Sequence, residues 1–125
     1  TMTCACSNNT PVTIIYSCSG AADVGELADR AARALSREGA GKMSCAVGVG
    51  AGVQSLRNTA LSAGRVLAID GCGVGCVAKA MEQAGVTEFV HVELGQAGFP
   101  KGSSPASEEN IARTLGILRE RLAVA

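Results

Sequence analysis

Apolar residues follow two patterns that alternate along the chain. Four short runs, rich in β-branched residues and bounded by turn residues, predict strands at 12–16, 42–47, 66–69 and 88–94. After each run, apolar residues recur at intervals of three and four, which is the spacing of one helix face. These stretches predict helices at 24–37, 53–63 and 77–84, and a last helix that begins at Ser104 or Ser107. The fourth run alternates apolar and polar residues, which is typical of an edge strand with one face in water.

This order of elements predicts one α/β domain over residues 12–125, preceded by a flexible N-terminal arm at residues 1–11. Strands that alternate with helices pair in parallel through right-handed crossovers, so helices cover both faces of the sheet. We therefore expect a small flavodoxin-like three-layer fold with a four-stranded parallel sheet of order 2-1-3-4. Such sheets bind ligands beyond the carboxyl ends of their strands, where the strand order reverses. Here that place lies between the first and third strands.

Four of the six cysteines follow predicted strands. Cys18 follows the first strand, Cys45 lies near the end of the second, and Cys72 follows the third, with Cys76 one helical turn further on. Because the carboxyl ends of parallel strands share one edge of the sheet, we expect these thiols to converge at the binding edge. Cys72 also precedes a helix N-terminus, whose unpaired N–H groups favour a thiolate.

Three acidic residues are expected to support the thiols without binding a metal themselves. Asp23 lies in the first turn of its helix and is expected to orient the loop that bears the first thiol. Asp70 precedes the third thiol by two positions and is expected to cap its turn. Glu93 lies near the end of the fourth strand. The only histidine, His91, is interpreted as a half-exposed strand residue rather than a ligand.

Composition narrows the classes of function. The formal net charge is zero and no basic stripe is present, so neither nucleic acid nor an anionic membrane is an expected partner. The start of the chain lacks the basic and apolar segments of a secretory signal, so we expect a cytoplasmic protein with reduced cysteines. Metal binding or redox chemistry is then favoured over structural disulfides. The exposed edges of a four-stranded sheet are compatible with a homodimer, and any protein or small-molecule partner is left open.

Converging thiols suit zinc, an iron–sulfur centre or copper, and the donor type alone does not choose among them. The competing hypothesis is a thiol-dependent oxidoreductase in which Cys72 attacks and Cys76 resolves. A third hypothesis is a metal-trafficking module in which Cys4 and Cys6 complete a transfer site. The residues alone leave open whether the protein is an enzyme.

The same positions also resemble a known family. Four features occur in order and together span nearly the whole chain: Cys4-Ala-Cys6, Cys18-Ser-Gly-Ala-Ala-Asp-Val-Gly25, a lone cysteine at 45 and Ile69-Asp-Gly-Cys72-x₃-Cys76. The chain is thereby similar to the DGC domain family of bacterial and archaeal proteins, named for the Asp-Gly-Cys motif. The resemblance implies zinc binding, with Cys18, Cys45, Cys72 and Cys76 as the chelating residues. It implies no reaction and no substrate.

Overall fold

The computed structural model describes residues 12–125 and contains nine helices and strands in that range. In chain order they are β1 (Thr13–Ser17), α1 (Asp23–Arg37), β2 (Lys42–Met43), α2 (Ala46–Gly50), α3 (Gln54–Leu61), β3 (Arg65–Asp70), α4 (Cys76–Ala84), β4 (Val90–Glu93) and α5 (Glu108–Val124). The arm predicted at residues 1–11, with Cys4 and Cys6, lies outside the described residues. None of the described helices combines the length and the apolar character needed to cross a membrane.

The sheet has the order β2-β1-β3-β4, and every neighbouring pair is parallel. β1 is paired with β3 along its whole length, from Thr13 opposite Arg65 to Ser17 opposite Ile69, and β3 ends one residue later, at Asp70. The predicted flavodoxin-like α/β fold and its strand order are confirmed. The strand order reverses between β1 and β3, which puts the ends of these strands at the binding edge of the sheet.

Two hydrophobic layers cover the two faces of the sheet. On one face α1 and α5 pack over alternate strand residues, including Ile15 and Leu67, and Leu118 of α5 is fully buried there. On the other face the three shorter helices α2, α3 and α4 pack around Tyr16 and Met81. The alternation follows from the strand period of two, which sends successive side chains to opposite faces.

The second β-α unit differs from its prediction. β2 ends at Met43 rather than at residue 47. The last hydrogen bond between β2 and β1 runs from the backbone N–H of Ser44 to the Ile15 carbonyl. The chain then turns into α2, a helix that the sequence pattern did not predict. Cys45 caps the start of this helix. α3 follows near its predicted place, and Val53 and Leu61, which lie at its two ends, are 44% and 46% exposed.

The last unit is closer to expectation. β4 is an edge strand and is shorter than its prediction. α5 begins after Ser107, whose hydroxyl accepts a hydrogen bond from the Asn110 N–H at 3.1 Å. Of the two starts considered, the second is therefore the observed one.

Candidate functional site

A cavity of about 510 Å³ opens where β1 and β3 end. Three of the predicted thiols, those of Cys18, Cys72 and Cys76, line it. The rest of its wall comes from the start of α1, the loop after β3 and the side chain of Lys101. The cavity therefore lies at the edge of the sheet where the sequence predicts a ligand.

Backbone contacts tie the first thiol to the central strands. The N–H of Cys18 donates a hydrogen bond to the Ile69 carbonyl at 2.8 Å, which continues the β1–β3 ladder past the end of β1. The sulfur of Cys18 accepts a long contact from the Gly20 N–H at 3.4 Å. The half-buried Cys18 side chain packs against both hydrophobic layers, so its position is set by the sheet itself.

Two glycines allow close backbone packing around the first and third thiols, Gly25 within the connection from β1 to α1 and Gly71 between that connection and the loop after β3. A Cβ on Gly71 would lie 2.8 Å from the backbone of Val24, and one on Gly25 would lie 2.6 Å from the Gly20 carbonyl. Both separations are too short for carbon and its neighbours, whose optimal contact is about 3.5–4.0 Å. The glycine of the Asp-Gly-Cys motif thus brings Cys72 against the first turn of α1.

A second cavity, of about 360 Å³, adjoins the first on the side of α2 and α4. Cys18 and Cys76 line both cavities and therefore lie on the boundary between them. Cys76 is the first residue of α4 and is exposed. Val47 of α2 lines the second cavity and is 80% exposed, which is unusual for a large apolar side chain.

Cys45 occupies a different place from the other three. Its exposed sulfur accepts a hydrogen bond from the Gly48 N–H at 3.3 Å and so caps α2. It lines neither cavity, although its neighbours Ala46 and Val47 line the second. The structure therefore brings three of the four predicted thiols to one cavity and leaves Cys45 beside it.

The donor set and its placement give different answers about zinc. Sulfur is the donor that Zn²⁺ favours in structural sites, so the chemistry of the three cavity thiols fits the ion. Within residues 12–125, however, no three side chains of Cys, His, Asp or Glu are close enough together to hold a metal ion as they stand. Zinc binding stays a prediction, as do the roles of Cys4 and Cys6.

Asp23 joins α1 to a loop distant in sequence. Its carboxylate accepts hydrogen bonds from the N–H groups of Gly102, at 2.9 and 3.0 Å, and of Ser104, at 2.8 Å. It also accepts one from the Val24 N–H. The N–H donors, that of Gly102 first, hold the pKa of the Asp23 carboxyl below its usual value. The carboxylate thus orients the loop that carries Lys101, one wall of the thiol cavity.

Asp70 lies at the end of β3 with its side chain only 2% exposed. Its two oxygens accept hydrogen bonds from the N–H groups of Val77 at 2.8 Å and Ala78 at 3.1 Å, in the first turn of α4. The Nε2 atom of His91 lies 2.7 Å from one of these oxygens. Asp70 therefore caps α4, and Cys76 lies in the capped turn. Sequence reasoning missed the contact with His91, because the signal is the pairing of β3 with β4, in which Ala68 lies opposite His91.

Glu93 stays near the end of β4. Its carboxylate accepts a hydrogen bond from the Gln96 N–H at 3.2 Å, within the turn that follows the strand. A Cβ built on Gly73, in the loop after β3, would lie 4.0 Å from a Glu93 oxygen. Among the described residues that line the two thiol cavities, Lys101 is the single charged one. No pattern in the sequence pointed to Lys101.

Comparison with known proteins shows the family of the chain. The DGC domain family matches residues 14–117, which include every thiol of the two cavities. The chain is 34% identical over 116 residues to the anaerobic and virulence modulator AnvM of Pseudomonas aeruginosa, and the alignment covers 93% of this chain and 88% of that relative. No solved structure shows significant similarity to the chain. The protein belongs to the DGC domain family.

Proposed function

We propose that this protein is a small modulator whose working site is the thiol cavity, and that the cavity takes up a thiophilic metal ion, zinc in the first instance. One observation supports the proposal above all: Cys18, Cys72 and Cys76, from two separate loops and a helix start, line the same cavity. The relative from Pseudomonas aeruginosa is named an anaerobic and virulence modulator. A site that is either loaded or empty suits a protein of that kind.

The electrostatics of the cavity favour a cation held by sulfur. Its wall is largely apolar, so the three sulfur atoms are the main donors that it offers to a cation. Three thiolates around a divalent ion leave one excess negative charge, four leave two, and Lys101 is a positively charged residue of the lining that reduces this excess.

Zinc binding requires the thiols to move closer together than they stand. Cys45 is the fourth ligand in this proposal, and it has to leave the cap of α2 to reach the cavity. The bond that it would give up is a single N–H contact to a sulfur, which is a weak acceptor. Zinc would therefore rearrange α2 more than the loops of the other thiols.

Elemental analysis of protein purified without oxygen tests the proposal. We expect about one zinc per chain, as in a site with four protein ligands. The single variants Cys18→Ser, Cys72→Ser and Cys76→Ser are each expected to lose the metal, and Cys45→Ser to weaken it. A double Cys4→Ser, Cys6→Ser variant tests the trafficking hypothesis, because unchanged zinc affinity in that variant would contradict it. A metal-free wild type that also fails to take up added zinc would refute metal binding.

Thiol redox chemistry is the second candidate function, and the placement of Cys76 favours it. Cys72 and Cys76 line one cavity, and Cys76 is exposed. The Cys72 thiolate would attack a disulfide substrate and release one thiol, and Cys76 would then displace the second thiol to form a Cys72–Cys76 disulfide. The substrate is reduced and the protein is oxidised by the same two electrons.

The Cys76→Ser variant separates the two functions. In the redox case it traps a mixed disulfide on Cys72 after incubation with oxidised glutathione, and mass spectrometry detects the adduct. In the metal case the variant loses zinc and traps no such adduct faster than Cys18→Ser does.

A further inference from the structure

The buried carboxylate of Asp70 caps a helix that does not supply its own cap. The N-cap residue of α4 is Gly75, which has no side chain and adopts a left-handed conformation with φ of 68°. The N–H groups of Val77 and Ala78 instead donate to Asp70, which comes from the end of β3. The first turn of α4 is therefore fastened to the central sheet rather than to the residues next to it.

The segment fastened in this way is the one that bears two thiols. Asp70 lies at its start, and the turn that the Asp70 side chain caps lies at its end, so the carboxylate closes residues 71–75 into a loop. Cys72 lies within this loop, where its carbonyl accepts a hydrogen bond from Gly75, and Cys76 follows it directly. One side chain thus sets the separation of the two thiols.

His91 completes the environment of that carboxylate. A buried carboxylate is costly unless hydrogen bonds satisfy it, and two helix N–H groups leave acceptor capacity unused. The Nε2 atom of His91 lies 2.7 Å from Asp70 and has to carry the proton, because a carboxylate accepts hydrogen bonds. The His91 side chain is 35% exposed and lies edge-on to Phe89, so it holds Asp70 from the solvent side.

We propose that Asp70 and His91 are positioning residues for the thiol pair Cys72 and Cys76. The carboxylate sets where α4 begins, and the imidazole fixes the carboxylate. This inference rests on the thiol cavity being the working site, as proposed above. Partners that hold groups around a metal site typically change its affinity by about 10–100-fold when they are mutated.

The test compares four variants by zinc competition against a chromophoric chelator and by melting temperature. Asp70→Asn keeps the shape of the side chain but turns one acceptor into a donor that faces the N–H of either Val77 or Ala78. His91→Phe keeps a ring and removes the donor, whereas His91→Gln retains a donor and should rescue. Ser107→Ala is the matched control, because it removes the cap of α5 and none of the cavity residues.

We expect Asp70→Asn and His91→Phe to weaken zinc binding about tenfold or more, and His91→Gln to stay within about threefold of wild type. Ser107→Ala should lower the melting temperature and leave zinc affinity unchanged. A purely structural cap would make Asp70→Asn behave like this control, with lost stability and retained affinity, and that result would overturn the proposal.

A second probe separates this inference from the proposed function. Phenylarsine oxide bridges two neighbouring thiols with loss of water and needs no metal. If wild-type protein binds no zinc, the proposed function fails, yet the arsenical still reports the spacing of Cys72 and Cys76. Capture at least about fivefold weaker in Asp70→Asn and His91→Phe than in Ser107→Ala supports positioning, and equal capture in all of them refutes it.

Discussion

Replacing Gly71 by alanine tests whether backbone contact between two loops builds the thiol cavity. The added Cβ would lie 2.8 Å from the carbonyl carbon and oxygen of Val24 and 3.0 Å from the Gly25 nitrogen. Carbon contacts are optimal at about 3.5–4.0 Å, so the loop after β3 and the first turn of α1 have to separate by roughly 0.7 Å. Neither neighbour is a flexible side chain that can rotate away.

The expected cost follows from two opposing effects. Overpacking costs about 1–3 kcal/mol, and contact with rigid backbone puts this site near the upper end of that range. Alanine also restricts the unfolded chain, which returns about 0.4–1 kcal/mol of stability. We therefore expect Gly71→Ala to lower the free energy of unfolding by about 2 kcal/mol. For a domain of this size that is a fall in melting temperature of roughly 6–10 °C.

Gly116→Ala is the matched control. Gly116 lies inside α5, and a Cβ there would meet no atom within 4 Å. Alanine should stabilise that helix by about 0.5–1 kcal/mol. Thermal and urea unfolding followed by circular dichroism compare the two variants, and arsenical capture reports the thiols. If Gly71→Ala melts at or above the wild-type temperature, close backbone packing is not what places Cys72.

Three further changes probe other parts of the fold. Asp23→Asn should destabilise the protein at neutral pH and speed hydrogen exchange of the Gly102 amide. Because the folded-state pKa of Asp23 is lowered, its contribution to stability is full above the usual pKa of 3.8 and is lost as the pH falls through the folded-state pKa. Urea unfolding should therefore show the stabilities of wild type and variant converging in acid. Tyr16→Phe should leave stability unchanged or raise it by up to about 1 kcal/mol, because within residues 12–125 the buried Tyr16 hydroxyl has no partner in hydrogen-bond geometry. A loss of stability above about 1 kcal/mol in urea unfolding would show that this hydroxyl does bond to the neighbouring Ser44. Leu118→Ala should cost about 2–5 kcal/mol in urea unfolding, because the side chain is fully buried between α5 and the sheet, and a cost below about 1 kcal/mol would contradict that packing.

The fold was accessible from the sequence because its signals are local. The run at 12–16 and the apolar stripe of α1 each lie within one element, and β-α alternation converts them into a parallel sheet. The same reasoning brought Cys18 and Cys72 to one edge, because the position of each depends only on the end of its strand. It did less well at residues 42–50, where a strand of two residues and a helix of five are too short for periodicity to distinguish.

The surroundings of the thiols were not accessible in the same way. The contact between Asp70 and His91 depends on the register between β3 and β4. The contact between Asp23 and Gly102 depends on how a long loop returns to α1. Neither contact leaves a pattern in the residues near it. The separation of Cys45 from the cavity likewise depends on a cap that forms only once α2 is in place.

The contacts that fix the thiols divide them into two groups. Cys18 is bonded through its backbone to Ile69, and the segment from Cys72 to Cys76 is fastened by Asp70, so three thiols are tied to the central strands. The sulfur of Cys45 instead bonds within its own turn. Binding at the cavity would then leave the sheet unchanged and act mainly on α2, whose Val47 is already exposed. Under the proposed function, α2 is therefore the surface that we expect to change when the cavity is loaded.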